Sequence, residues 1–323
     1  MRTINSVNSI LLALAGLSAG AAGVAPAAVF EETFAADPAA QGWRVHGDAA
    51  LFQWNAAGQH LEVTWDSSHA NSYFYRPLGT VLARDDDFSL AFEIQLQDVQ
   101  AVNMFQVAVG FIHFADAIRP NFYRGTGMDS PNLVEFDYFP DTGYGATISP
   151  TFISSNSGFA TTFNWPLDLT LGQTFKVEMR YTAANQTLVT TMTRGGESFG
   201  PISDVILGAS FSDFRVDAVA ISSYSEAGQD PAWGGSILAH GRVDNLAVTV
   251  PPPPIAEVGC EFANGRWEVR FATRANWTYT LERTEDFKDW TTVTQAPGTG
   301  EQVILSDEQP QARRFYRVRA ERP

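Results

Sequence analysis

Residues 132–145 read NLVEFDYFPDTGYG, a stretch in which acidic and apolar side chains alternate. Successive side chains of a β-strand point to opposite faces of its sheet. Val134 and Phe136 therefore share one face, and Glu135 and Asp137 share the other. Two carboxylates on one face of so apolar a strand have three interpretations: a metal site, a pair of catalytic acids, or a sheet face that is open to solvent.

The composition limits the classes of partner. The chain has 323 residues, with 36 Asp and Glu against 21 Lys and Arg, and its net charge is −15. Binding to nucleic acid needs a basic surface, so we expect no nucleic-acid partner. With 45% hydrophobic residues, among them 23 Phe and 8 Trp, the chain can build a large core. Cys260 is its single cysteine, so no intrachain disulfide can form.

The first 27 residues have the pattern of a signal peptide. Arg2 supplies a positive charge, residues 10–17 form a short apolar run, and the small residues within 25–27 fit a cleavage site. Ala28 then begins the mature chain. Because the apolar run is shorter than the ~20 residues of a spanning helix, we expect an exported protein with no membrane span. Export without disulfides is typical of bacteria, which places the protein outside the cell, in the periplasm or at the cell surface.

Most of the chain has a periodicity of two residues. Apolar and polar side chains alternate in residues 88–97 and 105–111, and residues 174–193 have the pattern of a hairpin. No segment of ten or more residues has the 3.6-residue periodicity of a helix. Many strands separated by turn residues predict an antiparallel sandwich. A first unit of about 220 residues is larger than an immunoglobulin domain and predicts a jelly roll.

Four consecutive prolines, Pro251–Pro254, predict a domain boundary, because proline cannot donate to a β-ladder and such a run forms a stiff spacer. The predicted organisation is a signal peptide at 1–27, a jelly-roll domain at 28–250, the linker at 251–254 and a second domain at 255–323. The second domain alternates again, for example in residues 267–271, and predicts a small β-sandwich of five to seven strands.

The second domain resembles a C-terminal module of secreted bacterial proteins that is related to immunoglobulin and fibronectin III units. The resemblance rests on a Tyr-x-Leu-Glu strand, a following tryptophan and a closing Phe-Tyr-Arg-Val strand. The residues of this motif are Tyr279, Leu281, Glu282, Trp290, Phe315, Tyr316, Arg317 and Val318. The resemblance implies a passive module for spacing or docking.

The first domain resembles the concanavalin A-like group, and in particular the legume-type lectins. The resemblance lies in the order of its segments. These are the strand at 105–111, the glycine-containing loop at 124–127, the strand at 134–137, the hairpin at 174–193, the strand at 214–222 and the last strand at 243–248. The resemblance implies an all-β fold class, a concanavalin A-like jelly roll followed by a small immunoglobulin-like sandwich.

In legume-type lectins, the segment matching residues 134–141 holds a calcium ion and a transition-metal ion. Carried over to this sequence, the resemblance places metal ligands at Glu135, Asp137, Phe139 and Asp141, with Phe139 contributing its carbonyl oxygen. Carboxylate and carbonyl oxygens are the ligands that calcium prefers. Calcium is therefore the cofactor that the resemblance implies.

The sequence departs from this pattern at two positions. The family has a bridging aspartate where this chain has Ala146, and a histidine where it has Thr151. The missing aspartate weakens both metal positions, and the missing histidine removes the one nitrogen ligand. A strand that keeps its carboxylates without binding an ion is the stronger expectation.

A catalytic role is the second interpretation of the acid pair. Family 16 glycoside hydrolases use Glu-x-Asp-x-x-Glu or a close variant, and Glu135 and Asp137 match its first two acids. Positions 138–140, where a third acid is needed, are Tyr, Phe and Pro. Polysaccharide lyases with jelly-roll folds present Arg, His and Tyr on one face; His113 and Tyr123 are present, but the surrounding motifs are missing.

A long loop, residues 222–236, separates the last two strands of the predicted jelly roll and corresponds to a loop that shapes the sugar site of legume-type lectins. It combines aromatic rings, which pack on sugar C–H groups, with carboxylates that bond hydroxyls. A second ring, in a Gly-Tyr-Gly turn, lies nearby. The candidate ligand-binding residues are Tyr144, Tyr224, Glu226, Asp230 and Trp233.

The sequence therefore favours an exported, non-catalytic, lectin-like protein that binds a carbohydrate or polysaccharide at the loop edge of the jelly roll, with calcium as a possible aid. One alternative is a polysaccharide-degrading enzyme, a hydrolase or a lyase, that uses Glu135 and Asp137 on the same fold. The other is a structural cell-surface protein without a small ligand.

Overall fold

The structure is a computed structural model. It describes residues 8–12, 28–102, 105–124, 129–226, 235–310 and 314–322, and of residues 8–12 only the backbone. The chain divides into two compact units. The large unit is Val29–Pro251, and the small unit combines Met1–Ala28 with Pro252–Pro323. No helix among the described residues is long and apolar enough to cross a membrane.

Strands dominate both units. Up to the end of the large unit they are β1 (Asn8–Leu12), β2 (Ala28–Glu32), β3 (Arg44–His46), β4 (Phe52–Asn55), β5 (His60–Asp66), β6 (Ser72–Leu82), β7 (Phe88–Ala101), β8 (Val107–Ile112), β9 (Leu133–Phe139), β10 (Thr147–Ile153), β11 (Phe159–Thr161), β12 (Phe175–Thr182), β13 (Thr187–Arg194), β14 (Glu197–Phe199), β15 (Val205–Ile206), β16 (Val216–Ser223) and β17 (Ile237–Val250). The small unit adds β18 (Ala256–Ala263), β19 (Arg266–Ala272), β20 (Thr278–Thr284), β21 (Thr291–Pro297), β22 (Gln302–Asp307) and β23 (Phe315–Glu321).

Helical structure is confined to short segments. Among the described residues there are one α-helix, α1 (Phe114–Ala117), and two 3-10 turns, Pro38–Gln41 and Ala49–Leu51. Each 3-10 turn begins at an aspartate whose side chain accepts a hydrogen bond from a backbone N–H of the turn. The predicted all-β class, a jelly-roll sandwich followed by a smaller β unit, is confirmed.

The large unit is a sandwich of two antiparallel sheets. The first has the strand order β11-β10-β9-β8-β16-β6-β3, and the second has the order β14-β13-β12-β7-β17-β5-β4, with β15 beside β13 and β2 beside β17. The strand of the opening motif, β9, therefore lies inside the seven-stranded sheet between β8 and β10. Strands from both halves of the large unit meet in each sheet, so its fold is closed by contacts that are distant in sequence.

The core lies between the two sheets. Val134, Phe136 and Tyr138 of β9 belong to it, as the alternation in the sequence predicts. The ring of Phe136 meets that of Phe92 on the opposite sheet at 5.6 Å in an edge-to-face contact. Contacts of this kind join the two layers, because aromatic pairs add to the free energy gained from apolar burial.

The other face of β9 belongs to the outer face of the seven-stranded sheet, which here means the face that points away from this core. Glu135 and Asp137 lie there, and both are fully buried. Their neighbours across the strands are small: Gly110 and Thr151 flank Glu135, and Ala108 and Ser149 flank Asp137. Small neighbours leave room for the two carboxylates and for a group that covers them.

Gly110 is needed for this arrangement. A Cβ atom at this position would lie 2.3 Å from the carbonyl oxygen of Val134 and 2.8 Å from Cγ of Glu135. Both distances are below any real Cβ contact, so a larger residue would displace strand β9 together with its carboxylates. The glycine therefore sets the spacing of β8 and β9 beside the acid pair.

The small unit has a four-stranded sheet, β1-β23-β20-β21, and a three-stranded sheet, β18-β19-β22. Trp267 stacks on Tyr316 at 4.0 Å, and the guanidinium of Arg317 lies 4.0 Å from the ring centre of Trp290. The hydroxyl of Tyr279 donates to the carbonyl oxygen of Pro254 at 2.7 Å, which anchors the end of the proline segment. The motif residues named above thus serve packing, and the resemblance to immunoglobulin units stays a prediction.

Part of the predicted signal peptide appears in the structure as a strand. Residues Asn8–Leu12 pair antiparallel with β23, with Asn8 opposite Ala320 and Leu12 opposite Tyr316. The remainder of residues 1–27 lies outside the described residues. Removal of residues 1–27 on export stays a prediction.

Replacing Gly110 by alanine should destabilise the large unit. The added methyl group has no room between β8 and β9, and overpacking of this kind costs about 2 kcal/mol of unfolding free energy, or more where backbone must move. Urea unfolding followed by tryptophan fluorescence measures the loss. The matched control is Gly208→Ala, because a Cβ atom at Gly208 meets nothing within 4 Å. Equal stabilities of the two variants would contradict the role given to Gly110.

Candidate functional site

An arginine covers the two acids of β9. The side chain of Arg124 is 3% exposed, and its three guanidinium nitrogens bond three different carboxylates. Nε donates to Glu135 at 3.0 Å, Nη1 donates to Asp129 at 2.9 Å, and Nη2 donates to Asp137. Arg124, Asp129, Glu135 and Asp137 are called the acid–arginine cluster below. The fork of the guanidinium suits this task, because its donors lie in one plane and point in fixed directions.

The segment that carries Arg124 is fixed on both sides of the arginine. The backbone N–H of Tyr123 donates to the side chain of Ser130 at 2.7 Å, and the N–H of Ser130 donates back to the carbonyl of Tyr123 at 2.9 Å. The carbonyl of Phe122 accepts from the amide of Asn71 at 3.0 Å. The ends of this loop are therefore tied to each other and to Asn71, which directly precedes β6. The glycine-containing part of the loop, 125–128, lies outside the described residues.

Tyr224 completes the shell around Glu135. Its hydroxyl donates to Oε1 of Glu135, and its ring packs between Tyr73 at 5.9 Å and Phe122 at 6.2 Å. The residue is only 1% exposed. Glu135 thus receives donors from Arg124 and Tyr224, and both of its carboxylate oxygens are satisfied.

Burial dominates the protonation of this cluster. Burial, followed by the charge of Asp137, raises the pKa of Glu135 to about 7, and burial raises the pKa of Asp137 to about 6 against the charge of Arg124. Burial opposes the charge of Arg124 as well, but the carboxylates outweigh it and raise the arginine pKa above its ordinary value. The guanidinium therefore stays charged, and any proton that the cluster takes up sits on a carboxyl group.

Several polar atoms on the same face remain without a partner. Among the residues described, Oδ1 of Asp137, both amide atoms of Gln106 and the hydroxyl of Ser222 are buried and make no hydrogen bond. Ser222 lies opposite Ala108, and Ala108 lies opposite Asp137, so two of these groups share one row across three strands. The outer face thus carries polar groups that are buried away from solvent.

This geometry does not suit the catalytic interpretation of the acid pair. A retaining glycosidase needs two carboxyl groups about 5 Å apart that flank a bound sugar. Glu135 and Asp137 are both 0% exposed and bonded to Arg124. A polysaccharide cannot reach either group while the cluster is closed, so the expectation that these residues are catalytic is not met by the structure.

The residues present do not fit a metal ion either. The carboxylates of Glu135 and Asp137 already bind a guanidinium. Asp141 accepts from the N–H of Gly143 at 2.8 Å in an exposed turn, and the ring of Phe139 is buried. Thr151, at the position of the family's histidine, donates to the carbonyl of Ser149 at 3.1 Å. Within the described ranges, no three His, Cys, Asp or Glu side chains are grouped as a metal site.

Two of the predicted loop residues are buried. Tyr224 packs on the outer face beside Glu135, as described above, and Glu226 is 2% exposed. Glu226 accepts from the N–H of Ser236 at 3.2 Å, and its own N–H donates to the carbonyl of Ser67 at 2.9 Å. Both side chains hold the ends of the loop in place, so the expectation that they contact a ligand needs correction. Asp230 and Trp233 lie outside the described residues.

Of the predicted ligand residues that the structure describes, Tyr144 alone is open to solvent. It is 79% exposed and lies beside Trp165, which is 54% exposed. The two ring centres are 6.1 Å apart, and the ring planes meet at 46°. Tyr144 and Trp165 are called the aromatic pair below. Trp165 is not among the predicted ligand residues; the aromatic residues at positions 159, 163 and 165, all of the same parity, are the sequence signal that could have identified it.

Backbone hydrogen bonds hold the two loops of the aromatic pair together. Ile148 and Asn164 exchange both N–H···O bonds at 3.0 Å, and the N–H of Leu167 donates to the carbonyl of Ala146 at 2.8 Å. Gly145, at φ +108°, turns the chain next to Pro166, in a conformation that side chains other than hydrogen rarely allow. These bonds fix the backbone that carries each ring.

A second pair of exposed rings continues the same edge. Phe159 and Phe163 are each 48% exposed, and their ring centres are 6.5 Å apart. Between them, Thr161 bonds Ser149 at 2.7 Å, which ties β11 to the outer face of the sheet. Four exposed aromatic rings therefore lie along the β11 edge of the seven-stranded sheet.

Comparison with known proteins gives structural neighbours only. No protein-family profile and no curated protein matches the chain. Peanut lectin is similar in structure with a TM-score of 0.46 and 15% identity over 70% of this chain and 99% of the lectin. Lectin II from Ulex europaeus gives 0.47 and 14% over 70% and 99%. A carbohydrate esterase from the Shiga toxin-encoding bacteriophage phi24B gives 0.41 and 11% over 70% and 100%.

The acid–arginine cluster should make stability depend on pH. A carboxyl group whose pKa is raised by folding binds more protons in the folded state, so the free energy of unfolding falls as the pH rises between its two pKa values. For Asp137 that interval runs from 3.8 to about 6, and for Glu135 it runs from 4.5 to about 7. Urea unfolding measured at a series of pH values should show this decline.

Replacing Glu135 by glutamine tests whether this carboxyl group causes the decline of the unfolding free energy with pH. The amide keeps the shape of the side chain but cannot titrate, so the decline above pH 4.5 should become shallower. Glu197→Gln, at an exposed position, is the control and should keep the full decline. An unchanged slope in the Glu135 variant would show that this carboxyl group is not shifted.

Proposed function

We propose that this protein is an exported, non-catalytic, carbohydrate-binding protein, and that it binds a polysaccharide on the aromatic pair at the edge of the jelly roll. The observation that carries the proposal is the exposure of Tyr144 and Trp165 on two loops that are bonded to each other. Large aromatic rings are normally buried, and a grouped set on the surface is typical of an interaction site.

The chemistry of the aromatic pair favours sugars. The C–H faces of a sugar ring pack against aromatic rings, and the surrounding hydroxyls need donors and acceptors at the rim. Such groups are present: Asp141 and Asp168 are exposed in the same two loops, and Tyr144 adds its own hydroxyl. An apolar protein partner would gain less from this acidic rim, because buried carboxylates must be paired.

The shape of the site favours a chain over a single sugar. The rings lie on an open edge, and Phe159 and Phe163 extend the aromatic surface along β11. Two rings whose centres are 6.1 Å apart and whose planes differ by 46° suit successive residues of a twisted chain. We therefore place polysaccharides before free monosaccharides among the ligands of this site.

The state of the two acids supports a non-catalytic role. The two carboxylates that the sequence offers for glycoside cleavage are buried and bonded to Arg124. Among the described residues, the aromatic edge has exposed carboxyl groups, at Asp141 and Asp168, and no buried one.

Removing either ring should weaken binding. Tyr144→Ala and Trp165→Ala should each lower the affinity for a bound polysaccharide at least tenfold, which corresponds to about 1.4 kcal/mol. Affinity gel electrophoresis with a panel of neutral and acidic polysaccharides identifies a ligand, and titration calorimetry measures the change. Ile304→Ala is the control, because Ile304 is an exposed apolar residue, 53% accessible, on β22 of the small unit. Binding that survives both aromatic substitutions would contradict the proposed site.

Incubation with the same polysaccharides should release neither reducing ends nor unsaturated or ester-derived products. The physical reason is that Glu135 and Asp137 are inaccessible. Reducing-sugar, ultraviolet and acetate assays measure these products. Product formation that disappears in Glu135→Gln would establish the enzyme alternative. If no polysaccharide binds and none is degraded, a structural role becomes the better explanation.

A further inference from the structure

We propose that Arg124 is the permanent cation of the acid pair, and that its guanidinium takes the place which the resemblance to legume-type lectins assigns to metal ions. The large unit should then fold, and keep its aromatic edge, without any divalent cation. In the sequence, Glu135 and Asp137 match metal-ligand positions of these lectins. In the structure, both carboxylates form ion pairs with Arg124.

The contacts of Arg124 support this assignment. A metal ion on a sheet face would hold carboxylates together that otherwise repel, and the guanidinium holds three: Asp129, Glu135 and Asp137. Each of its nitrogens bonds a different carboxylate. Charge-assisted hydrogen bonds of this kind are about twice as strong as neutral ones. The arginine therefore bridges acids from a loop and from a strand, which is the structural task of an ion.

Arginine and a divalent ion exclude each other at this position. The carboxylates of Glu135 and Asp137 are fully buried, and the guanidinium lies in contact with both. An ion bound there would meet a fixed positive charge at short range in a medium of low polarity, where repulsion is strong. An ion could enter only if Arg124 left.

The residues near Glu135 and Asp137 agree with the replacement of a metal ion by Arg124. Where the family supplies a bridging aspartate and a histidine, this chain has Ala146 and Thr151, and Thr151 is bonded to the carbonyl of Ser149. Asp141 bonds its own turn. The two family ligands are thus replaced by Ala146 and Thr151, and Arg124 supplies the positive charge; three carboxylates, of Asp129, Glu135 and Asp137, remain to receive an ion when the arginine is removed.

The first test uses the unmodified protein. Purified protein should contain no stoichiometric calcium, manganese or zinc by mass spectrometry, and its melting temperature should be the same in EDTA, in calcium and in manganese. Stoichiometric metal, or a melting temperature that EDTA lowers, overturns the proposal. These measurements do not involve a sugar, so their failure is distinguishable from failure of the proposed function.

The second test removes the arginine. Arg124→Ala leaves two buried carboxylates without a cation, so its melting temperature should fall, and millimolar calcium or manganese should raise it again. Arg124→Lys keeps a charge but loses the fork, so its melting temperature should be intermediate and independent of metal. Arg180→Ala, at an exposed position of β12, is the control and should show neither effect.

If Arg124→Ala does not fold in EDTA, refolding from urea with and without calcium replaces the melting experiment, and recovery only with the ion supports the proposal. A variant as stable as the unmodified protein shows that no cation is needed, and this overturns the proposal. A destabilised variant that no divalent ion restores shows that the arginine does not stand in for an ion, and this also overturns it.

Discussion

The ion pairs between Arg124 and the two acids of β9 are the constraint on which the rest of the large unit depends. Buried carboxylates are tolerated only when they are paired and bonded, since an isolated buried charge costs far more than a domain's stability can absorb. The seven-stranded sheet meets this requirement with Gly110 as a close neighbour and with an arginine above the strand. As a result, Glu135 and Asp137 are fully buried on the outer face.

The proposed recognition surface lies at the rim of the sandwich, where loops leave the sheets. Tyr144 and Trp165 are exposed there although both belong to residue types that favour the interior. The rim and the acid–arginine cluster are linked through β9 and β10, which carry the acids and their neighbours in the middle and the Tyr144 loop at the end. One pair of strands therefore carries both the buried cluster and one loop of the proposed recognition surface.

The sequence predicted the architecture well, because alternation, turn residues and prolines act locally. Strands β7, β8, β9 and β12 lie where the alternation places them. The site was less predictable. The spacing of Glu135 and Asp137 indicates an ion, but their partner Arg124 lies on a separate loop, and only the fold brings it above them. Tyr224 and Trp165 show the same limit, since a loop position does not reveal which ring is buried.

The hydrogen bonds between the Tyr144 and Trp165 loops have a thermodynamic consequence. Backbone that is already ordered loses little conformational entropy when a ligand arrives, and rings with only two side-chain torsions lose little more. Ile148, Asn164 and Leu167 provide that order in the free protein. The surface is therefore preorganised, and a ligand of the proposed site would spend little of its binding free energy on ordering the protein.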